Sequence, residues 1–200
     1  LKTESHVLIG HIVLDYVKAQ FGIVLDERNF VRGNVLPDRR ITFLTRPHFL
    51  KYNASLVQRK IYRLLNNKID GGAVGGQISK RLGILCHYYT DFFCFAHSPR
   101  FKGGLAAHRS YEERLHHYLT AHLSELGGPL PAAPDCNEPN AKTVYARFGS
   151  LHEGYTQAAC SFENDLAYSI FACAEVIVTL IFSAENANAQ PGAVYALHAA

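Results

Sequence analysis

The chain contains no block of lysine and arginine. Its net charge of +3 over 200 residues is too small to mark a nucleic-acid-binding protein by electrostatics alone. The densest runs, Pro37-Asp38-Arg39-Arg40 and Ser79-Lys80-Arg81, imply only a mild preference for anionic surfaces or phosphate groups. Cys-x-x-Cys spacing is absent too, and the five cysteines are an odd number, so neither a disulfide framework nor a zinc finger fits. The glycine-rich stretch Gly71-Gly72-Ala73-Val74-Gly75-Gly76 lacks the Gly-Lys-Ser/Thr ending of a phosphate-cradling loop and reads as a flexible connector. No segment carries the sustained two-residue alternation of a sheet strand. Tryptophan is missing altogether.

What is present fits one globular unit. Apolar residues make up 48% of the chain and charged residues 18%, an ordinary composition with enough chain to bury a core. Helical periodicity runs through His6–Gln20, where Ser5 suits an N-cap, and through Ser55–Asn66. Phe30–Pro37 reads as a loop, because Gly33-Asn34 and Pro37-Asp38 are turn signals. Ile78–Phe95 is apolar nearly all round, as expected of a central buried helix. Ala107–Leu126, Lys142–Gln157 and Ser161–Ser183 complete the helical set, and the proline-rich Gly127–Asn140 separates two of them.

Ala167–Ala184 approaches the length of a membrane span, but Glu175 sits in its middle, and a buried core helix is the better reading. The fold class expected is all-α. Residues 1–184 form the domain, and 185–200, rich in small residues, form a poorly ordered tail. Cys86, Cys94 and Cys173 lie in apolar helices and read as buried hydrophobes. With no signal segment visible in the given sequence, a cytoplasmic location is favoured.

Eleven histidines are unusual for this length. His87 and Asp91 stand four residues apart, as do His108 and Glu112. On a helix each pair shares a face and can present an imidazole nitrogen and a carboxylate oxygen to one metal ion. Asp91 lies inside an almost wholly apolar helix, where an unpaired carboxylate costs several kcal/mol or takes up a proton. A divalent cation compensates it, and so does a hydrogen bond to a neutral histidine. For His108 and Glu112 the plain alternative is a solvated helix face. His6, Asp38, His48 and His97 stand at helix ends or in loops. Taken together, these groups have the distribution from which helical bundles build multinuclear sites. His11, His116, His117, His122, His152 and His198 lack a comparable partner pattern. Only His116 is in register with Glu112.

The ordered set Ser5-His6, Pro37-Asp38, His48, His87-x3-Asp91, His97 and His108-x3-Glu112 resembles the zinc-dependent phospholipase C family, whose all-α fold is shared with trinuclear-zinc single-strand nucleases. The resemblance spans about residues 5 to 120 and extends in weaker form to Asp165–Phe182. It implies two or three Zn2+ ions per chain. Asp38, His48, His87 and Asp91 would bind one zinc, and His97, His108 and Glu112 a second. His6 and a bridging Asp91 would hold the third. Family members complete that third site with the amine and carbonyl of an N-terminal tryptophan; this chain has no tryptophan, and Leu1 offers its amine there only if it is the mature N-terminus. Choline-preferring members place aromatics where this chain has Arg39 and Thr45, so no aromatic cage for a quaternary ammonium is implied. Arg39 suits an anionic or phosphate-rich substrate instead.

The resemblance implies hydrolysis of a phospholipid or related phosphodiester by zinc-activated water, with Asp38 orienting or deprotonating that water and with transient contact at a membrane surface. Two other readings stand beside it. One is a single-strand nuclease on the same fold, for which Tyr88, Tyr89, Phe92 and Phe93 would have to stack bases. The other is a helical protein that binds metal without catalysis. An HD-type phosphohydrolase is disfavoured, because no adjacent His-Asp doublet occurs. A di-iron carboxylate bundle is disfavoured as well, because only Glu113 and His116 have Glu-x-x-His spacing.

Overall fold

The computed structural model describes residues 1–39, 48–66, 73–126 and 141–189, with side chains from 142 to 183 in the last segment. The architecture is all-α. Helices α1 (Thr3–Phe21), α2 (Glu27–Val35), α3 (Leu50–Leu65), α4 (Gly76–Phe92), α5 (Leu105–Ala121), α6 (Leu123–Leu126), α7 (Ala141–Gln157) and α8 (Phe162–Ala189) follow in order. A 3₁₀ turn, Phe95–His97, lies between α4 and α5. Two short strands, β1 (Val24–Leu25) and β2 (Ala73–Val74), pair in parallel and tie the end of α1 to the entry of α4. They are too short to show as alternation in the sequence. The readings of Gly127–Asn140 as a loop and of Thr45 as a departure from the aromatic pattern fall outside the described residues, as do Gly71 and Gly72 of the connector.

α1 begins earlier than its periodicity suggested. Its N-cap is Lys2, without a side-chain cap. Ser5 therefore lies inside the helix, fully buried. The helix ends at Gly22, whose φ of 66° closes a left-handed cap in which Gly22 and Ile23 donate to Lys18 and Val17 carbonyls.

The segment expected as a loop, Phe30–Pro37, is mostly helix. Asp26 caps α2 by accepting from the Asn29 amide at 2.9 Å, and the helix runs to Val35. Gly33 is spent on close packing and not on a turn. A Cβ there would lie 2.2 Å from the Lys80 carbonyl oxygen, and a Cβ on Gly83 of α4 would lie 2.1 Å from that of Phe30. Two backbones thus touch through reciprocal glycines. The same Gly33, beside Asn34, reads as a turn signal in the sequence, and a helix of nine residues is too short to outweigh it.

α4 is central, with Leu82, Leu85, Cys86, His87, Thr90 and Asp91 all buried. α8 packs along it: Ser169 Oγ donates to the Thr90 carbonyl at 3.3 Å and Cys173 Sγ to that of Cys86 at 3.4 Å. Phe162–Ser183 is long and apolar enough to cross a membrane, but 72% of its most apolar window is buried inside the protein, which makes it the core helix expected. α8 continues to Ala189, into the stretch read as tail; 190–200 lie outside the described residues.

Candidate metal centre

The packing of α2 on α4 sets up the first candidate ligand. His87 projects from α4, fully buried, and its Nδ1 lies 2.8 Å from the Asn34 carbonyl oxygen of α2. A carbonyl only accepts, so Nδ1 carries the proton and Nε2 presents a lone pair. That Nε2 lies 2.9 Å from His48 Nδ1, 3.5 Å from Asp38 Oδ1 and 3.3 Å from Asp91 Oδ2. His48 Nδ1 is in turn 2.9 Å from Asp91 Oδ2 and 3.7 Å from Asp38 Oδ1. Two ligands on one zinc at about 2.1 Å stand about 3.4 Å apart in a tetrahedron. The five separations scatter around that edge length.

Asp91 Oδ1 faces the other way. His6 Nε2 and His97 Nδ1 each lie 3.4 Å from it, and the Leu1 amine lies 2.6 Å from it and 3.1 Å from Glu112 Oε1. Glu112 Oε1 is also 3.0 Å from His97 Nε2 and 2.9 Å from His108 Nε2. All eight residues singled out in the sequence therefore meet. They form three groups whose ligating atoms lie within 4.8 Å of one another: His6, His87 and Asp91; Asp38, His48 and His87; and His97, His108 and Glu112.

The donor set fits a cation on two further grounds. His6 is completely buried, yet neither of its ring nitrogens has a hydrogen-bond partner, and His97 Nδ1 is likewise unsatisfied. Buried polar atoms of this kind demand an explanation, and unprotonated imidazole nitrogens aimed at carboxylates are what a hard-to-borderline divalent ion takes. Burial lowers the pKa of both His87 and His97, that of His87 the more strongly. Burial pushes the Asp91 and Glu112 carboxyls up, but the groups that face them overcome it. The Leu1 amine, His97 and His6 hold Asp91 low, and His108 and His97 hold Glu112 low. Asp38 differs: burial raises its carboxyl, and Thr3 Oγ1 donates to its Oδ2 at 3.0 Å.

Several supporting groups were invisible in the sequence. Asn34, fully buried, donates through Nδ2 to the His6 carbonyl at 2.7 Å. Thr3 anchors Asp38. His116, which has no comparable partner pattern in the sequence, lies 3.0 Å from Ser5 Oγ and so ties α5 to the residue before His6. Its register with Glu112 was the one available signal. Arg39 is exposed in the turn that follows Asp38. Tyr88, Tyr89, Phe92 and Phe93 are 8, 2, 4 and 0% exposed, so the aromatics that a nuclease reading would use for stacking are inside the core.

No curated protein and no solved structure matched the chain. The family model described as zinc dependent phospholipase C matches residues 5–162, a span that holds all eight clustered residues. With most of the chain matched and an all-α fold, the protein is a member of the zinc-dependent phospholipase C family.

Proposed function

We propose that this chain is a phosphodiester hydrolase acting on a phospholipid, with two or three zinc ions held by His6, Asp38, His48, His87, Asp91, His97, His108 and Glu112. The observation that carries the proposal is the division of Asp91: one oxygen faces His48 and His87, the other His6 and His97. A carboxylate so placed could serve two neighbouring cations, an arrangement that two-metal phosphoryl-transfer sites use. Zinc supplies a nucleophilic water at neutral pH and positive charge against the phosphate oxygens.

The chain's own residues do the rest. His87 is kept in one tautomer by Asn34. Asp38 is our assignment for the group that orients or deprotonates the attacking water: one oxygen looks into the cluster, the other is fixed by Thr3, and burial raises its basicity. Arg39, exposed beside it, is assigned to the substrate phosphate or an anionic headgroup. Hydrolysis on the glycerol side would release diacylglycerol and a phosphorylated headgroup, with transient contact at a membrane surface. Residues 1–184 are taken as the functional domain.

The test is release of phosphorylated headgroup from vesicles of zwitterionic and anionic phospholipid, beside single-stranded DNA, for the wild type and His87→Ala. Headgroup release lost in the variant supports the proposal. DNA hydrolysis without lipid turnover replaces it with the nuclease reading. Tight zinc without either activity replaces it with non-catalytic metal binding.

A further inference from the structure

Outside the cluster, the most completely engaged buried carboxylate is Asp165, on the first turn of α8 and beyond the segment matched by the family model. It is 2% exposed. Three donors from three other parts of the chain converge on it. The Phe95 amide reaches Oδ2 at 2.9 Å, the Tyr111 hydroxyl reaches the same oxygen at 2.8 Å, and the Tyr155 hydroxyl reaches Oδ1 at 2.8 Å. Tyr111 and Tyr155 are themselves buried.

Two of these donors stand next to metal-group residues. Phe95 opens the 3₁₀ turn that ends in His97, and its amide is one of the orphan donors of a helix start. Capped by Asp165, the turn closes through His97 N to Cys94 O and Ser98 N to Phe95 O, both 2.9 Å. That closure sets the direction in which the His97 side chain leaves the backbone. Tyr111 precedes Glu112 on α5, and anchoring its hydroxyl fixes the rotation of α5 about its axis. Glu112 and His108, one turn apart, follow that rotation. Phe95 and Tyr111 also touch, with ring centroids 5.7 Å apart. Tyr155, on α7, instead packs on Phe93, His152 and Tyr168.

We infer that Asp165 is a positioning residue for the His97–His108–Glu112 group: from α8 it clamps Phe95 and Tyr111 so that the side chains of His97 and Glu112 converge. The inference rests on the proposed metal-binding role of that group. Supporting contacts of this kind typically change metal affinity by about 10–100-fold. The shape of the acceptor matters more than its charge. An asparagine at 165 keeps one oxygen for Phe95 and Tyr111 and offers its amide to the Tyr155 oxygen.

The experiment is zinc titration against a competing chelator, with metal content and thermal midpoint, on the wild type, Asp165→Ala, Asp165→Asn, Tyr111→Phe and Tyr155→Phe. Expected for Asp165→Ala is weakening of the affected ion by about 10–100-fold. Tyr111→Phe should show a smaller loss in the same direction, and Asp165→Asn should retain most of the affinity. Tyr155→Phe should lose thermal stability yet keep wild-type zinc binding. Should Asp165→Ala fail to fold, the contrast between Tyr111→Phe and Tyr155→Phe decides the matter. Unchanged zinc affinity in both Asp165→Ala and Tyr111→Phe overturns the inference, as does equal weakening in Tyr111→Phe and Tyr155→Phe. Absence of zinc binding in the wild type overturns the metal-site reading instead.

Discussion

Replacing Gly83 with alanine tests whether backbone contact between α2 and α4 sets up the site. A Cβ at 83 would lie 2.1 Å from the Phe30 carbonyl oxygen, 2.9 Å from the Asn34 nitrogen and 3.0 Å from the Phe30 carbonyl carbon. These are backbone atoms, so no side chain can swing aside, and ordinary contact needs 3.4–4 Å. The helices must therefore part by roughly 1 Å at this point. Alanine gains about 1 kcal/mol of helix propensity over glycine, whereas overpacking of this kind costs about 1–3 kcal/mol or more. The second effect wins. Parting the helices also stretches the 2.8 Å contact between Asn34 O and His87 Nδ1, for which about a 10–100-fold loss of metal affinity is expected. Gly149 is the control: it is an exposed glycine within α7, and a Cβ there meets nothing within 4 Å. Gly149→Ala should gain about 0.5–1 kcal/mol and leave zinc binding alone. Denaturant unfolding and chelator competition on both variants give the answer. If Gly83→Ala matches Gly149→Ala in both readouts, the reasoning from reciprocal glycines is wrong.

Further outcomes follow from the same geometry. Asp38→Asn should lower turnover by about 10²–10⁴-fold with zinc content largely kept; parallel loss of zinc would remove Asp38 as the base. Asn34→Ala leaves the buried His6 carbonyl without its donor and should cost about 1–3 kcal/mol, measured by denaturant unfolding. In metal-free protein, His87 and His97 have pKa values below the ordinary 6.5. The unfolded chain therefore binds more protons below that value, and stability should fall as pH drops from about 7 to 5. Asp165, raised to about 6 by burial, opposes this trend, because its contribution is lost as pH rises through that value. His152, lowered by burial, adds to the trend, and Asp38 and Glu175, raised by burial, oppose it with Asp165. A metal-free stability that is flat or rising toward acid would show that the carboxylates outweigh the histidines and contradict the prediction.

The paired residues of the cluster were legible because their spacing is local. His87 with Asp91 and His108 with Glu112 announce a shared helix face through spacing alone, and Asp91 within an apolar helix announces a need for compensation. The long helices α1, α4, α5 and α8 were legible for a similar reason, since each carries enough apolar residues to show its period. α2 was read as a loop because its buried Gly33 and Asn34 also read as turn residues, and a helix of nine residues is too short to outweigh them. Ser5 was misplaced as a cap because the same side chain also suits a partner on a distant helix, here His116. Asn34, Thr3 and Asp165 act through contacts across 53, 35 and 70 residues respectively, and no local spacing encodes such meetings.

The divided carboxylate of Asp91 has a thermodynamic corollary. One side chain answers to two groups, so a cation held through Oδ2 alters the negative charge that Oδ1 offers on its far side, and the reverse holds by the same factor. Under the metal binding proposed above, the groups would titrate as a linked set, and no single residue would own any one constant. Stripping the ions with a chelator should therefore proceed in distinct stages, and the free energy linking the first stage to the second is the same whichever group is emptied first.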